Sequence, residues 1–182
     1  MRKHQPIWYL GQLSNEECDK AFADFSKMQT IDAAMGHKGD EISHTGRNTS
    51  VCFAENGYWF GDIMRDYALL ANKECGWNYI IDGNERVQFA RYGINQHYDW
   101  HVDTFTLSGL SRDRKISVVC LLTDPSEFKD GMLQFRLYDE FTPTLIKGSI
   151  IAFPSIIEHR VTPVSSGVRC TATMWLDGPR FR

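Results

Sequence analysis

Several protein classes are excluded by what the sequence lacks. Its 182 residues hold five cysteines, Cys18, Cys52, Cys75, Cys120 and Cys170, with no C-x-x-C pair among them. An odd, scattered set is the wrong arithmetic for a disulfide framework or a thiolate zinc site, and it reads as buried thiols in a reducing compartment. No apolar run approaches the roughly 20 residues of a membrane span, and the opening residues contain no signal-peptide hydrophobic region. The expected location is cytoplasmic, without a membrane partner. Positive charge is not in excess either: Lys and Arg number 20 against 23 Asp and Glu, a net charge of −3. No overall field exists to hold a polyanion, so nucleic acid is not an expected partner. Repeats, low-complexity tracts and Pro/Ser-rich linkers are also missing, which leaves one domain over 1–182 as the expected count. The apolar share of 42% and charged share of 24% are those of an ordinary soluble globule.

What is present divides into a helical first part and a β-rich second part. Ser14 with Glu17 three residues on makes a capping box, and Cys18, Phe22, Phe25 and Met28 follow at helical spacing, predicting a helix over 15–28. Phe60, Ile63, Met64, Tyr67 and Ala71 form the stripe of a second amphipathic helix over 58–75, with Asp62, Arg65, Asp66 and Lys73 largely opposite. Residues 29–57 carry Gly36, Gly39, Gly46 and many polar side chains, and read as a long loop ending in a short strand at 49–53. Loops of this length are often functional. From residue 86 the texture changes to short β-rich runs at 87–92, 116–123, 132–137, 149–153 and 168–176. The expected fold is mainly β, a sandwich or small barrel with helices in front of it.

His101-Val102-Asp103 is the first chemically pointed feature. Residues two apart on an extended segment point to the same side, so an imidazole and a carboxylate can meet one ion. Such a triplet alone also occurs in surface loops. His159 is the third candidate ligand, the first polar ring beyond the apolar run 148–153 and Pro154-Ser155; an exposed turn is the alternative reading. Two histidines and one carboxylate with three positions open form the facial set of non-haem iron(II) oxygenases, and the open positions can take a bidentate oxo acid and dioxygen. A 2-oxo diacid held this way needs a cation for its distal carboxylate, and Arg169 offers a planar fork. Alternation along the last run puts Arg169, Thr171, Thr173 and Trp175 on one face and Cys170, Ala172, Met174 and Leu176 on the other. The polar face reads as a pocket wall rather than a solvated outer face, because exposed tryptophan is unusual.

On these residues the chain resembles the 2-oxoglutarate and iron(II)-dependent oxygenases of the prolyl 4-hydroxylase-like group, especially the bacterial-type PKHD hydroxylase branch. The resemblance covers about residues 86–178 and rests on Gln88 to Gly93, Tyr98 to Asp103, Leu121 to Pro125, Asp130-Gly131, and Gly148 through Trp175. It implies a double-stranded β-helix, a jelly-roll or cupin-like barrel over 86–178, with 1–85 as a helical support region and loop of the same oxygenase domain. It implies His101, Asp103 and His159 as iron(II) ligands and Arg169 as the partner of the cosubstrate's distal carboxylate. Tyr92 would be a second cosubstrate or pocket residue, Thr171, Thr173 and Trp175 would line the same cavity, and Gln88 and Tyr98 would border the substrate side. The implied cofactors are iron(II), 2-oxoglutarate and dioxygen, with ascorbate in support. The implied reaction hydroxylates a C–H bond of a substrate, such as a prolyl or other amino-acid side chain, and releases succinate and carbon dioxide. Peptide, protein and small metabolite all remain open as that substrate.

Two positions depart from the family pattern. Some members carry a tyrosine that helps hold the distal carboxylate where this chain has Leu121, so Ser117, Tyr92 or Thr171 is expected to compensate. The usual Gly-Gly pair before the next strand is Asp130-Gly131, and aspartate tolerates turn geometry. His97 reads as loop or substrate rim, His4, His37 and His44 as solvent-exposed, and Arg112-Asp113-Arg114-Lys115 as a solvated turn. Within the superfamily the alternative is a nucleic-acid oxidative demethylase of the alkylation-repair type, but such enzymes usually carry an additional arginine where this chain has Trp175. Outside it, the alternative is a non-catalytic cupin-like metal-binding module, which has no need of Arg169.

Overall fold

Helix α1 (Asn15–Phe25) starts where its capping box dictates: the Glu17 backbone N–H donates to Ser14 Oγ at 3.2 Å, and the Ser14 N–H donates to the Glu17 carboxylate at 2.9 Å. It stops at Phe25, short of the expected residue 28. Ser26 is the C-cap, and its hydroxyl donates to the Phe22 carbonyl at 2.8 Å, a local bond of the kind that competes with continued helix. Helix α2 (Trp59–Glu74) buries Phe60, Met64 and Ala71 of its expected stripe together with Ala68, while Ile63 and Tyr67 of that stripe are only partly buried against the same core. These assignments come from a computed structural model, which describes residues 7–33, 46–105 and 111–181. His4, His37 and His44, and most of the expected loop's glycines, lie outside the described residues. Among those described, no helix is long and apolar enough to cross a membrane.

The strands form two principal sheets. The larger runs in the order Tyr9–Gln12, Ser149–Pro154, Arg112–Leu121, Arg169–Pro179, Gln88–Tyr92, Ser50–Phe53 and Ile31–Asp32, with Gly83–Asn84 added to Arg169–Pro179. The smaller runs Glu140–Phe141, Leu133–Arg136, Glu158–Val161, His97–His101 and Arg47–Asn48. A separate pair, Phe128–Asp130 with Val164–Gly167, makes a short ribbon. All of these strand pairs are antiparallel, the two sheets facing each other make the jelly roll, and both helices stand on the outside of the larger sheet.

The core explains why so many of these strands read as continuous apolar runs. One cluster lies between the larger sheet and the helices and includes Phe25, Phe60, Met64, Phe89, Val118 and Ile150. The other lies between the sheets and includes Tyr92, Val119, Phe135, Ile151, Phe153 and Val161. Neighbours such as Ile150 and Ile151, or Val118 and Val119, therefore face opposite cores, because side chains alternate along a strand. All five cysteines are buried and free.

Three expectations are corrected by the strands. Arg112-Asp113-Arg114-Lys115 is not a solvated turn but the start of the strand Arg112–Leu121, paired with Asp177 to Pro179. Asp113 is 1% exposed and Lys115 4%. Their charge is consumed by partners remote in sequence: Arg112 bridges Asp82 and Asp177, Arg114 forks onto Glu85, and Asp113 accepts from the Thr104 hydroxyl at 2.9 Å. The region 29–57 is also more than a loop with one strand, since Ile31–Asp32 and Arg47–Asn48 join the two sheets. His97, expected in a loop, opens the strand His97–His101.

Candidate active site

His101 and His159 lie directly across from one another on adjacent strands of the smaller sheet, and the register shifts between His159 and Val161. Such an irregularity twists a strand locally and re-aims side chains. The ring centroids are 4.2 Å apart. Asp103, just beyond the strand's end, completes the group: its Oδ1 is 3.6 Å from His101 Nε2 and its Oδ2 is 3.4 Å from His159 Nε2. One ligand atom from each of the three residues falls within 4.8 Å of the others.

Each donor is oriented by a second contact. His101 Nδ1 lies 2.7 Å from the Asp99 carbonyl and His159 Nδ1 lies 2.9 Å from the Ile157 carbonyl, so each Nδ1–H has an acceptor and each Nε2 is turned toward Asp103. The Ser117 hydroxyl donates to Asp103 Oδ2 at 2.6 Å and shares a 2.9 Å bond with Ser155 Oγ, while the Asp103 N–H donates to the Ser155 carbonyl. Burial, and next the charge of His159, push the His101 ring well below its ordinary value and keep it neutral. Burial works to raise the Asp103 carboxyl, but His159, His101, Arg114 and the Ser117 bond outweigh it and keep the group ionised. Imidazole nitrogen and an ionised carboxylate suit a divalent transition metal, so the donor set fits iron(II).

The wall expected along Arg169–Pro179 is present. Arg169, Thr171, Thr173 and Trp175 all line one cavity together with the His101, Asp103 and His159 group. Arg169 is 2% exposed, sits opposite Tyr92 in the sheet, and stands 5.4 Å over the Tyr92 ring. Among the described residues it has no acidic partner; burial lowers its pKa, with Tyr92 and Cys170 opposing. Gln88 and Tyr98 line the same cavity, and Tyr98 stacks on His101 at 3.5 Å between centroids. Gly131 approaches Arg169 closely at a positive φ of 63°, and Asp130 beside it adopts the same φ, so the Asp-Gly pair does make the turn. Leu121 is buried opposite Thr171. Of the three residues expected to compensate for it, Ser117 is corrected: it is committed to Asp103, whereas Tyr92 and Thr171 share the cavity with Arg169.

Sequence reasoning missed Arg47 and Arg114. Arg47 lines the cavity, hydrogen-bonds Gln88 Oε1 at 2.9 Å and stacks 4.5 Å from the Tyr98 ring centre. Arg114 lies 3.8 Å over the Trp175 ring. Neither belongs to a local motif, and only the pairing of distant strands brings them to the site.

Comparison with known proteins bears on this geometry. The family model of the 2OG-Fe(II) oxygenase superfamily matches residues 87–177, half of the chain. A PKHD-type hydroxylase of Picosynechococcus sp. is 35% identical over 90 residues, covering 49% of this chain and 40% of that protein. One from Shewanella sp. is 34% identical over 93 residues, covering 49% and 41%. The aligned part thus spans well under half the length of these relatives. A Pseudomonas putida prolyl-4-hydroxylase superposes with a TM-score of 0.73 at 18% identity, covering 93% of this chain and 92% of that one. A viral collagen prolyl hydroxylase of Paramecium Bursaria Chlorella virus-1 gives 0.67 at 19%, covering 95% and 97%. At such identities these two speak to the shared fold. The chain belongs to the 2OG-Fe(II) oxygenase superfamily.

Proposed function

We propose that residues 1–182 form one iron(II)- and 2-oxoglutarate-dependent hydroxylase domain, in which 1–85 support the jelly roll. His101, Asp103 and His159 hold the iron. Bound there, iron(II) supplies the redox chemistry that couples dioxygen and the decarboxylation of 2-oxoglutarate to hydroxylation of a substrate C–H bond, with succinate and carbon dioxide as co-products. The observation that carries this reading is Arg169: a buried cation without an acidic partner among the described residues, facing the same cavity as the three donors. A module that only bound metal would have no use for it.

The chain's own residues do the holding and orienting. The Asp99 and Ile157 carbonyls fix the two imidazoles, and Ser117 fixes the carboxylate. Arg169 takes the distal carboxylate of 2-oxoglutarate through a charge-assisted fork, with Tyr92 and Thr171 beside it and Thr173 and Trp175 continuing the wall. Val119, Leu133 and Val161 supply apolar lining that keeps bulk water out. The substrate is a peptide, a protein side chain or a small metabolite, and ascorbate is a supporting reductant. Five free, buried thiols favour a reducing compartment, and we assign the cytoplasm.

The test is succinate formation coupled to oxygen uptake in purified, iron-loaded protein. His101→Ala, Asp103→Ala and His159→Ala should each abolish it and lower iron binding. Arg169→Ala should keep its iron but bind 2-oxoglutarate roughly 30-fold or more weakly, the scale of a lost buried charge pair. An iron-loaded Arg169→Ala protein with unchanged 2-oxoglutarate affinity would sink the assignment.

A further inference from the structure

The cavity holds two cations and has a use for only one of them. Arg169 and Arg47 both line it, and among the described residues Asp103 is its single carboxylate, already committed to the two imidazoles and Ser117. Arg114 nearby is matched by Glu85, on which it forks. Among the described residues no carboxylate pairs with Arg47. Its guanidinium meets the neutral amide of Gln88 and the face of Tyr98, and the residue is buried.

The two arginines also lie at opposite ends. Arg169 is at the level of Tyr92 in the sheet, whereas Gln88, which Arg47 touches, pairs with Thr173. Four residues of strand separate those levels, roughly 13 Å at about 3.3 Å per residue. A single 2-oxoglutarate with one carboxylate at Arg169 and its oxo-acid end at the metal leaves Arg47 unserved. At that same end two donors are buried with no hydrogen-bond partner among the described residues, Arg47 Nε and Trp175 Nε1. Buried donors are almost always paired in folded proteins, so an orphan pair lining a cavity signals an acceptor that arrives with a ligand.

We propose that Arg47, assisted by Trp175 Nε1, binds a carboxylate of the primary substrate, which is therefore a carboxylate-bearing amino acid or a residue with an acidic side chain rather than a neutral peptide segment. This rests on the hydroxylase reading and narrows its substrate class. The carboxylate anchors the substrate at the Arg47 end, and the C–H bond to be hydroxylated lies between that anchor and the His101, Asp103 and His159 group.

The experiment is ligand-detected NMR on the full chain held anaerobically with iron(II) and 2-oxoglutarate. The probes are free amino acids, their carboxamides, and doubly blocked aspartate and glutamate with their asparagine and glutamine counterparts. A set of the carboxylates should bind roughly 30-fold tighter than the matched amides, as for a buried charge-assisted pair. Arg47→Gln should erase that preference and Arg47→Lys should restore part of it, since charge returns without the fork. Preference confined to free amino acids identifies the carboxylate as the α-group, and preference for the blocked acids identifies it as a side chain. Equal binding of acids and amides, no binding of any carboxylate, or an undiminished preference in Arg47→Gln would overturn the proposal. The hydroxylase reading is checked separately in the same samples: iron-dependent 2-oxoglutarate binding by the wild type, weakened in Arg169→Ala, must hold whatever the probes do.

Discussion

Ser117 shows how much of an active site can rest on a residue with no chemistry of its own. It is fully buried, and its hydroxyl donates to Asp103 Oδ2 while also meeting Ser155. Partners that orient a ligand typically matter by 10–100-fold in metal affinity. Ser117→Ala should therefore bind iron roughly tenfold or more weakly, while 2-oxoglutarate affinity at saturating iron changes little because Arg169 is untouched. Metal titration followed by cosubstrate titration reads both, and an unaltered iron affinity would show that Ser155 and the backbone suffice. His101, Asp103, His159 and Arg169 could be singled out in the sequence because each is a residue type with few structural uses in that pattern, and the fold gathers all four around one cavity. Ser117 was not, because a serine in a β-run carries no mark of what it touches fourteen positions away.

Among the elements, the longest were the easiest to read. Both helices announced themselves through a capping box or a wide apolar stripe, and the strands buried on two faces through unbroken apolar runs. His97–His101 did not, since His-Tyr-Asp-Trp-His has no β-branched residue and its one alternating pair, Tyr98 and Trp100, is too short a pattern to stand out; its strand character comes from its neighbours Glu158–Val161 and Arg47–Asn48. Arg112 to Lys115 failed for the opposite reason, a charge run whose partners at Asp82, Glu85 and Asp177 are contributed by other elements. The turn at Gly131 links element geometry to the site. A Cβ there would lie 2.8 Å from Val164 Cγ2 and 3.1 Å from Arg169 Cδ, at a φ of 63°. Gly131→Ala should cost about 1–2 kcal/mol for the left-handed backbone alone, and it should also weaken 2-oxoglutarate binding by pressing on Arg169. Thermal unfolding and cosubstrate titration on one preparation check the pair of effects, and a loss of stability with wild-type affinity would separate the turn from the site.

For the whole molecule, burying the His101, Asp103 and His159 group ties stability to pH. The unfolded chain protonates His101 near its ordinary value of about 6.5, whereas burial and His159 hold the folded ring lower. Between those two values the unfolded state binds a proton that the folded state does not, so stability rises with pH across that window. The contribution is complete above about 6.5 and is lost as pH falls toward the folded value. Asp103 acts with the same sign further down, because its folded value is also depressed. Chelator-treated protein should therefore lose thermal stability from pH 7 to 4.5, and His101→Gln should show a shallower fall. Equal slopes in the two proteins would mean that His101 is not held neutral in the fold.

The sequence alone determined the fold class and singled out His101, Asp103, His159 and Arg169 as candidates, because periodicity, capping and rare ligand-type residues act over a few positions and leave a local imprint. Only the tertiary structure decided that Arg114 and Glu85 neutralise one another beside Trp175, that Ser117 serves Asp103, and that Arg47 stands at the far end of the cavity with no acid facing it among the described residues. Those facts depend on which strands become neighbours. That choice is made by burial of two apolar faces of one sheet, and the polar residues are carried to their partners by a register that their own identities do not set.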